Sequence, residues 1–204
     1  MAGKIYLAGP DVFLPGAVEV GRRKLEICRQ FGFEGLFPLD PDPGIEADPT
    51  AIFRADCALM RRADIGLFNL TPFRGPSADA GTVFELGFMF ALGKPVYGYT
   101  GTSSVYADQV ERQCGPLVAR DGRLWDRSGY EVEDFDLIDN LMIIGAIREA
   151  GGALAAVETI TPDVIPPGSE TTRKEQWLAA FDAFAGCLQQ VQNDVRSGRL
   201  KLER

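Results

Sequence analysis

The stretch DIGLFNLTPFRGPSADAGTVFELGFMFALGKPVYGYT, residues 64–100, runs from a short apolar segment through a polar loop into a longer apolar segment and then a third. Residues 64–70 are apolar almost throughout, the pattern of a parallel strand covered on both faces. Residues 81–93, GTVFELGFMFALG, are long enough for a helix, and Gly93-Lys94-Pro95 ends it. Residues 95–100 supply the next strand. The same alternation continues on both sides. KIYLAG at 4–9 is a strand ending in Gly-Pro. Residues 16–31 have helical spacing, with Val20, Leu25, Ile27 and Cys28 inside and Arg22, Arg23 and Lys24 outside. Residues 36–39 are a second short strand, and 38–49 an acidic, proline-rich loop. Asp48 before Pro49 is an N-cap followed by proline at the first helical position, so a helix runs to about Arg62.

After residue 100 a polar stretch leads to EVEDFD, a helix over about 137–150 and a fifth strand within 152–159. TPDVIPPGSE is a surface connection. A last helix starts near Ser169 and places Trp177, Phe181, Phe184, Leu188, Val191 and Val195 at steps of three and four. That seam fits either a subunit contact or a cover for the chain's own sheet. Strands alternating with helices predict an α/β fold: a doubly wound, flavodoxin-like or Rossmann-like parallel sheet of about five strands, helices on both faces. One domain over residues 1–204 is expected. Sites in such sheets lie at the carboxyl ends of strands. The loops AGPDVF, PLDPDP, TPFRGPSADAGT and YTGTSS should therefore meet at one crevice, with Gly9 and Phe13 among the substrate-binding candidates.

Glu85 is the only charged residue in 81–93, and its neighbours leave no polar stripe. This helix is expected to be apolar on every side and buried. An ionised carboxylate there costs several kcal/mol, in order of magnitude, unless paired or put to use. A Glu facing solvent or a buried Arg is the competing reading. Asp56 falls on the inward stripe Ile52, Asp56, Leu59, Ala63. Asn140 sits among Leu137, Leu141 and Ile144, and Tyr6 lies mid-strand, where a buried hydroxyl needs a partner. Asp79 precedes the Glu85 helix and reads partly as its N-cap. A phosphate at that helix N-terminus is a competing ligand, but the loop offers only Arg74 and no Lys.

A net charge of −8 argues against nucleic acid polymers as partners. No apolar run reaches membrane-span length and no signal peptide is evident, so a cytoplasmic location is expected. Cys28, Cys57, Cys114 and Cys187 form no C-x-x-C pair and read as reduced thiols. The chain has no His, which removes His-based metal sites, triads and general bases together. Catalysis would fall to carboxylates, Tyr, Lys or Cys.

KIYLAGPDVF, TPFRGPSADAGTVFELG, GKPV and IDNLM together resemble the nucleoside 2-deoxyribosyltransferase family, over roughly residues 4–145. The D-x-G-T-x-x-E-x-G segment carries the likeness most strongly. Members exchange the base of a 2′-deoxynucleoside through a covalent deoxyribosyl–enzyme ester. The resemblance implies that Glu85 is the nucleophile and Tyr6 orients it. It places Asp79 on a sugar hydroxyl and Asp56 near the base. It implies that Asn140 and Met142 bind substrate in a neighbouring subunit's site, hence a homo-oligomer. Its partners are a nucleoside and a free nucleobase, in nucleotide salvage, without metal or organic cofactor. The long 38–49 loop and the extension over about 151–204 depart from the pattern. Three alternatives share the scaffold. A deoxynucleoside 5′-monophosphate N-glycosidase would need phosphate-binding groups, for which Ser77, Ser103 and Ser104 are the candidates. The cytokinin-activating phosphoribohydrolase type lacks its paired glycines here. A non-catalytic nucleotide sensor would not require Asp56, Asp79 and Glu85 together.

Overall fold

Side chains of the central strands alternate between two faces, and both faces are buried. Ile5 and Leu7 of β1 (Lys4–Ala8) join one hydrophobic cluster, while Tyr6 and Ala8 join another. β3 (Ile65–Asn69) repeats the alternation with Ile65 and Leu67 against Phe68. So does β4 (Val96–Thr100), with Tyr97 and Tyr99 against Val96. Such strands must be sandwiched between helices, because neither face tolerates water. The computed structural model describes residues 2–14, 16–38, 48–156 and 170–202.

β2 (Glu34–Leu36) and β8 (Leu154–Ala156) complete a five-stranded parallel sheet in the order β2-β1-β3-β4-β8. The fold is α/β and flavodoxin-like. α1 (Ala17–Gln30) and α6 (Glu170–Arg196) cover one face. α2 (Pro49–Arg62), α3 (Ala80–Ala91) and α5 (Leu141–Glu149) cover the other. The N-cap of α2 is as expected: Asp48 accepts from the amides of Thr50 at 3.0 Å and Ala51 at 3.1 Å. α3 ends in a Schellman turn. Gly93 adopts φ 70°, its N–H donates to Phe90 O at 2.9 Å, and Lys94 N–H donates to Met89 O at 3.1 Å.

Several expectations change. α3 is apolar but not buried all round. Thr82, Leu86 and Met89 face inward, whereas Phe84, Phe90 and Leu92 (the C-cap) are exposed. Lys24 points inward, because it continues the stripe Val20, Lys24, Ile27, Cys28 at positions i, i+4, i+7 and i+8. The helix expected from residue 137 starts at Leu141. The stretch read as polar connection holds α4 (Tyr106–Cys114) and a small antiparallel sheet, β5 (Val118–Arg120), β6 (Arg123–Trp125) and β7 (Glu131–Val132). Its first turn is Asp121-Gly122, with φ 51° and 74°, a two-residue hairpin whose dipeptide was the available signal. Most of the 38–49 loop and residues 157–169 lie outside the described residues.

From Phe184 to Val191 the α6 seam covers the chain's own sheet. Phe184, Leu188 and Val191 are buried in one cluster with Ile5, Leu67 and Tyr99. The side chain of Trp177 lies outside those described. Leu188→Ala should therefore cost about 2–5 kcal/mol. The urea midpoint should fall by the same amount at low and high protein concentration. A loss that disappears at high concentration would place the seam in a subunit contact instead.

Candidate active site

The chain leaves β1 to form β2 on one side and returns to place β3 on the other, so a crevice opens at the carboxyl ends of β1 and β3. Gly9 follows β1 directly. A Cβ there would collide with Asn69 Cβ and lie 2.7 Å from Asp11 Oδ2, at φ 154°. Only glycine allows this approach. The 3₁₀ turn Pro10–Phe13 then folds across the strand ends. Val12 and Phe13 form one wall of a cavity of about 270 Å³. Ile52 and Asp56, one turn apart on α2, form a second wall. Asp79, Gly81, Thr82 and Glu85, from the start of α3, form the third.

Tyr6 lies wholly buried beneath this cavity and donates from Oη to Glu85 Oε1 at 2.6 Å. Burial, then the charge of Glu85 and the hydrogen bond to it, raise the Tyr6 pKa, so the phenol stays a donor. Burial also raises Glu85, from an ordinary 4.5 to about 7. The Tyr6 bond opposes that shift, while the charges of Asp56 and Asp79 add to it. Near neutrality Glu85 is thus poised between acid and carboxylate, as catalytic groups often are. Asp79 caps α3: Oδ2 accepts from Thr82 N at 3.0 Å and Thr82 Oγ1 at 3.2 Å. The other oxygen, Oδ1, takes no part in the cap.

Glu85, Tyr6, Asp56, Asp79, Gly9 and Phe13 therefore meet around one cavity. Asn140 and Met142 do not join them within this chain. Because α5 begins later than expected, Asn140 is its N-cap and not a core-facing helical residue. Its Oδ1 accepts from Met142 N at 3.0 Å, and its Nδ2 donates to Glu133 Oε1 at 2.6 Å. Met142 is 72% exposed. The YTGTSS loop does not line the cavity either. Ser77 donates to Asp139 Oδ1 at 2.5 Å, and Ser104 Oγ accepts from Arg112 at 3.1 Å.

Two features escaped the sequence reading. Asp139 is buried and accepts from Ser77 Oγ, from Ala78 N at 3.0 Å and from Asn140 N at 2.7 Å. It ties the loop that carries Asp79 to the segment that presents Asn140 and Met142. Its position beside Asn140 in IDNLM, an acid in an apolar run, was the signal. The second is the buried Lys24–Asp11 pair on the opposite face of the sheet. Among the described residues, no group of three His, Cys, Asp or Glu side chains is arranged to hold a metal ion. No helix of the described residues is long and apolar enough to cross a membrane.

The family model for nucleoside 2-deoxyribosyltransferase matches residues 5–142, more than half the chain and every residue of this cavity. The chain belongs to the nucleoside 2-deoxyribosyltransferase family. A 2-deoxyribosyltransferase from Leishmania mexicana superposes with a TM-score of 0.55 at 29% identity, covering 69% of this chain and 85% of that one. A conserved protein from Enterococcus faecalis shares the fold, with a TM-score of 0.50 at 21% identity over 77% of this chain and 92% of its own. An uncharacterised protein of Schizosaccharomyces pombe is 36% identical over 168 residues, 74% of this chain and 80% of its own.

The raised Glu85 pKa carries a stability consequence. Between about pH 4.5 and 7 the folded protein keeps a proton that the unfolded chain has released, so stability falls as pH rises through that window. Glu85→Gln removes the buried charge and keeps the shape. At pH 8 its Tm should exceed wild type by roughly 2–4 °C, the response of a chain this size to about 1 kcal/mol. At pH 5 the difference should shrink. A Tm difference that does not change with pH would mean that Glu85 is not held in its protonated form by burial.

Proposed function

We propose that the protein cleaves the N-glycosidic bond of 2′-deoxynucleosides and transfers the deoxyribosyl group to a second base. The Tyr6–Glu85 bond inside a cavity walled by two further carboxylates carries this reading. Glu85 attacks C1′ as the carboxylate, with Tyr6 fixing Oε1 so that the second oxygen faces the sugar. A C1′–O bond forms as the C1′–N bond breaks, and the electron pair leaves on the base nitrogen. Asp56 protonates the departing base. Such assistance is worth about 10²–10⁴ in rate. Asp79 Oδ1 receives a sugar hydroxyl, while Oδ2 remains in the helix cap. A second base then attacks C1′, returns a proton to Asp56 and releases Glu85. Water in place of that base gives hydrolysis. The chemistry calls for no metal and no organic cofactor.

The described cavity wall contains no Lys or Arg. A neutral nucleoside fits it better than a 5′-monophosphate. The serines that a monophosphate glycosidase would use do not line it, and Ser77 and Ser104 are bonded to Asp139 and Arg112. Incubation with deoxyinosine, with and without adenine, tests the reading by chromatography. Base exchange is expected, with an acid limb of kcat/KM near pH 7, where Glu85 ionises. Glu85→Gln should abolish nearly all base release. Wild-type turnover in that variant would overturn the assignment, and free deoxyribose alone would make the protein a hydrolase.

The working unit is a homo-oligomer in which Asn140 and Met142 complete a neighbour's cavity. Phe53, Phe84 and Phe90 are exposed on α2 and α3, and Leu141 and Met142 on α5. Rings of Phe53 and Phe84 lie 5.9 Å apart, so the aromatic surface is continuous across α2 and α3. Apolar surface on this scale marks an interaction face. Glu85→Ala and Asn140→Ala should each be inactive alone and regain activity when mixed, because some sites then receive both native residues. An active monomer in light scattering, or no rescue despite proven subunit exchange, would refute the shared site.

A further inference from the structure

A second cavity, of about 240 Å³, lies on the α1–α6 side of the sheet, behind the 3₁₀ turn that walls the Glu85 cavity. Its walls are largely apolar, with Pro10, Leu14, Val20, Phe73 and Phe181 among them. Its floor is charged. Asp11 and Lys24 are 4% and 2% exposed, and their Oδ2 and Nζ are 2.5 Å apart. Lys24 also donates to Tyr99 Oη at 2.6 Å, and Asn69 Nδ2 donates to Asp11 Oδ2 at 3.1 Å. An ammonium has three donors, so among the described residues one Lys24 N–H remains. None of the described residues donates to Asp11 Oδ1. The floor thus offers one charged donor beside one charged acceptor, with no net charge.

A buried pair survives only when additional hydrogen bonds satisfy its remaining atoms. Stability alone does not call for a cavity above it. Side chains that merely packed the helix against the sheet would leave no such space, since protein interiors are close-packed. We propose that this cavity is a second ligand site, for a neutral flat heterocycle with a lactam edge, an N–H beside a C=O. The N–H donates to Asp11 Oδ1, the C=O accepts from Lys24 Nζ, and the ring lies among Phe73, Phe181 and the prolines. A charged ligand is disfavoured, because Lys24 and Asp11 already neutralise each other and a third charge would be buried unpaired. The volume falls below the roughly 300–1,000 Å³ of sites for drug-sized molecules, so the ligand is a single small ring system. Free nucleobases belong to this class. The site stands independently of the chemistry assigned to Glu85.

The full chain labelled with ¹⁵N and titrated with 2-pyridone provides the test. The largest saturable shifts should fall at the amides of Val20 and Thr71, not at Gly81 and Thr82 beside the Glu85 cavity. N-methyl-2-pyridone, which lacks the donor, should bind about tenfold more weakly or worse, the loss of one hydrogen bond to a charged group. Val20→Phe fills the cavity and should abolish the shifts. Leu14→Trp, at its half-exposed rim, should do the same if Val20→Phe fails to fold. Equal affinity for the two pyridones, shifts centred on Gly81 and Thr82, or no saturable shift would each overturn the proposal.

Discussion

The hydrogen bond from Tyr6 Oη to Glu85 Oε1 joins the first strand to the third helix, and the site is arranged around it. It is long-range, linking residues 79 positions apart. It forms only because β1 and β3 are adjacent and α3 packs over them. The bond also answers a cost. A half-buried carboxylate next to Asp56 and Asp79 tends to take up a proton, and Tyr6 is the one cause that acts the other way. Tyr6 can do this because its own burial keeps the phenol protonated. Each group thus biases the other: Glu85 helps keep Tyr6 a phenol, and Tyr6 moderates the rise of the Glu85 pKa.

The sheet divides two polar systems that have little in common. On the α2–α3–α5 face, Glu85 shares a cavity with Asp56 and Asp79, and their charges add to the rise that burial gives its pKa. On the α1–α6 face, Asp11 meets Lys24 and the charges cancel. The 3₁₀ turn Pro10–Phe13 stands between them, Asp11 on one side and Phe13 on the other. Its position is anchored by Asp11 to Lys24 and Asn69, and by the stack of Phe13 on Phe73, with centroids 5.2 Å apart. The buried pair therefore also acts on the other face of the sheet: it holds the turn whose other residues, Val12 and Phe13, shape the wall of the Glu85 cavity.

The parts legible in the sequence were those with a local cause. Continuous apolar runs mark two-sided strands, Asp48-Pro49 marks a helix start, and Glu85 stands out because its helix has no other charge. What stayed hidden depends on tertiary partners. Lys24 follows Arg22 and Arg23 and reads as surface, yet its helical phase is that of Val20 and Cys28, and Asp11 lies 13 positions away in sequence. Asn140 looks like a core-facing helical residue until Glu133 and Asp139 hold it as a cap. The short strands from Val118 to Val132 carry too few residues each for periodicity to show. Likewise, the spacing of Phe184, Leu188 and Val191 indicates a buried face but not whose surface buries it.

That last ambiguity changes sides in the folded protein. The seam of α6 from Phe184 to Val191, with its coiled-coil-like spacing, is buried within its own chain, while α3, whose sequence reads as wholly interior, leaves Phe84 50% exposed. The two observations have one explanation if the missing cover for α3 is a second copy of the chain. A helix can carry an all-round apolar surface when one side meets its own sheet and the other meets a neighbour. On the proposed reading, the same contact brings Asn140 and Met142 to the mouth of the adjoining cavity and closes it to bulk water. Water competes with the incoming base for the deoxyribosyl ester, so the exposed aromatic face of α3 and the choice between transfer and hydrolysis become one physical question.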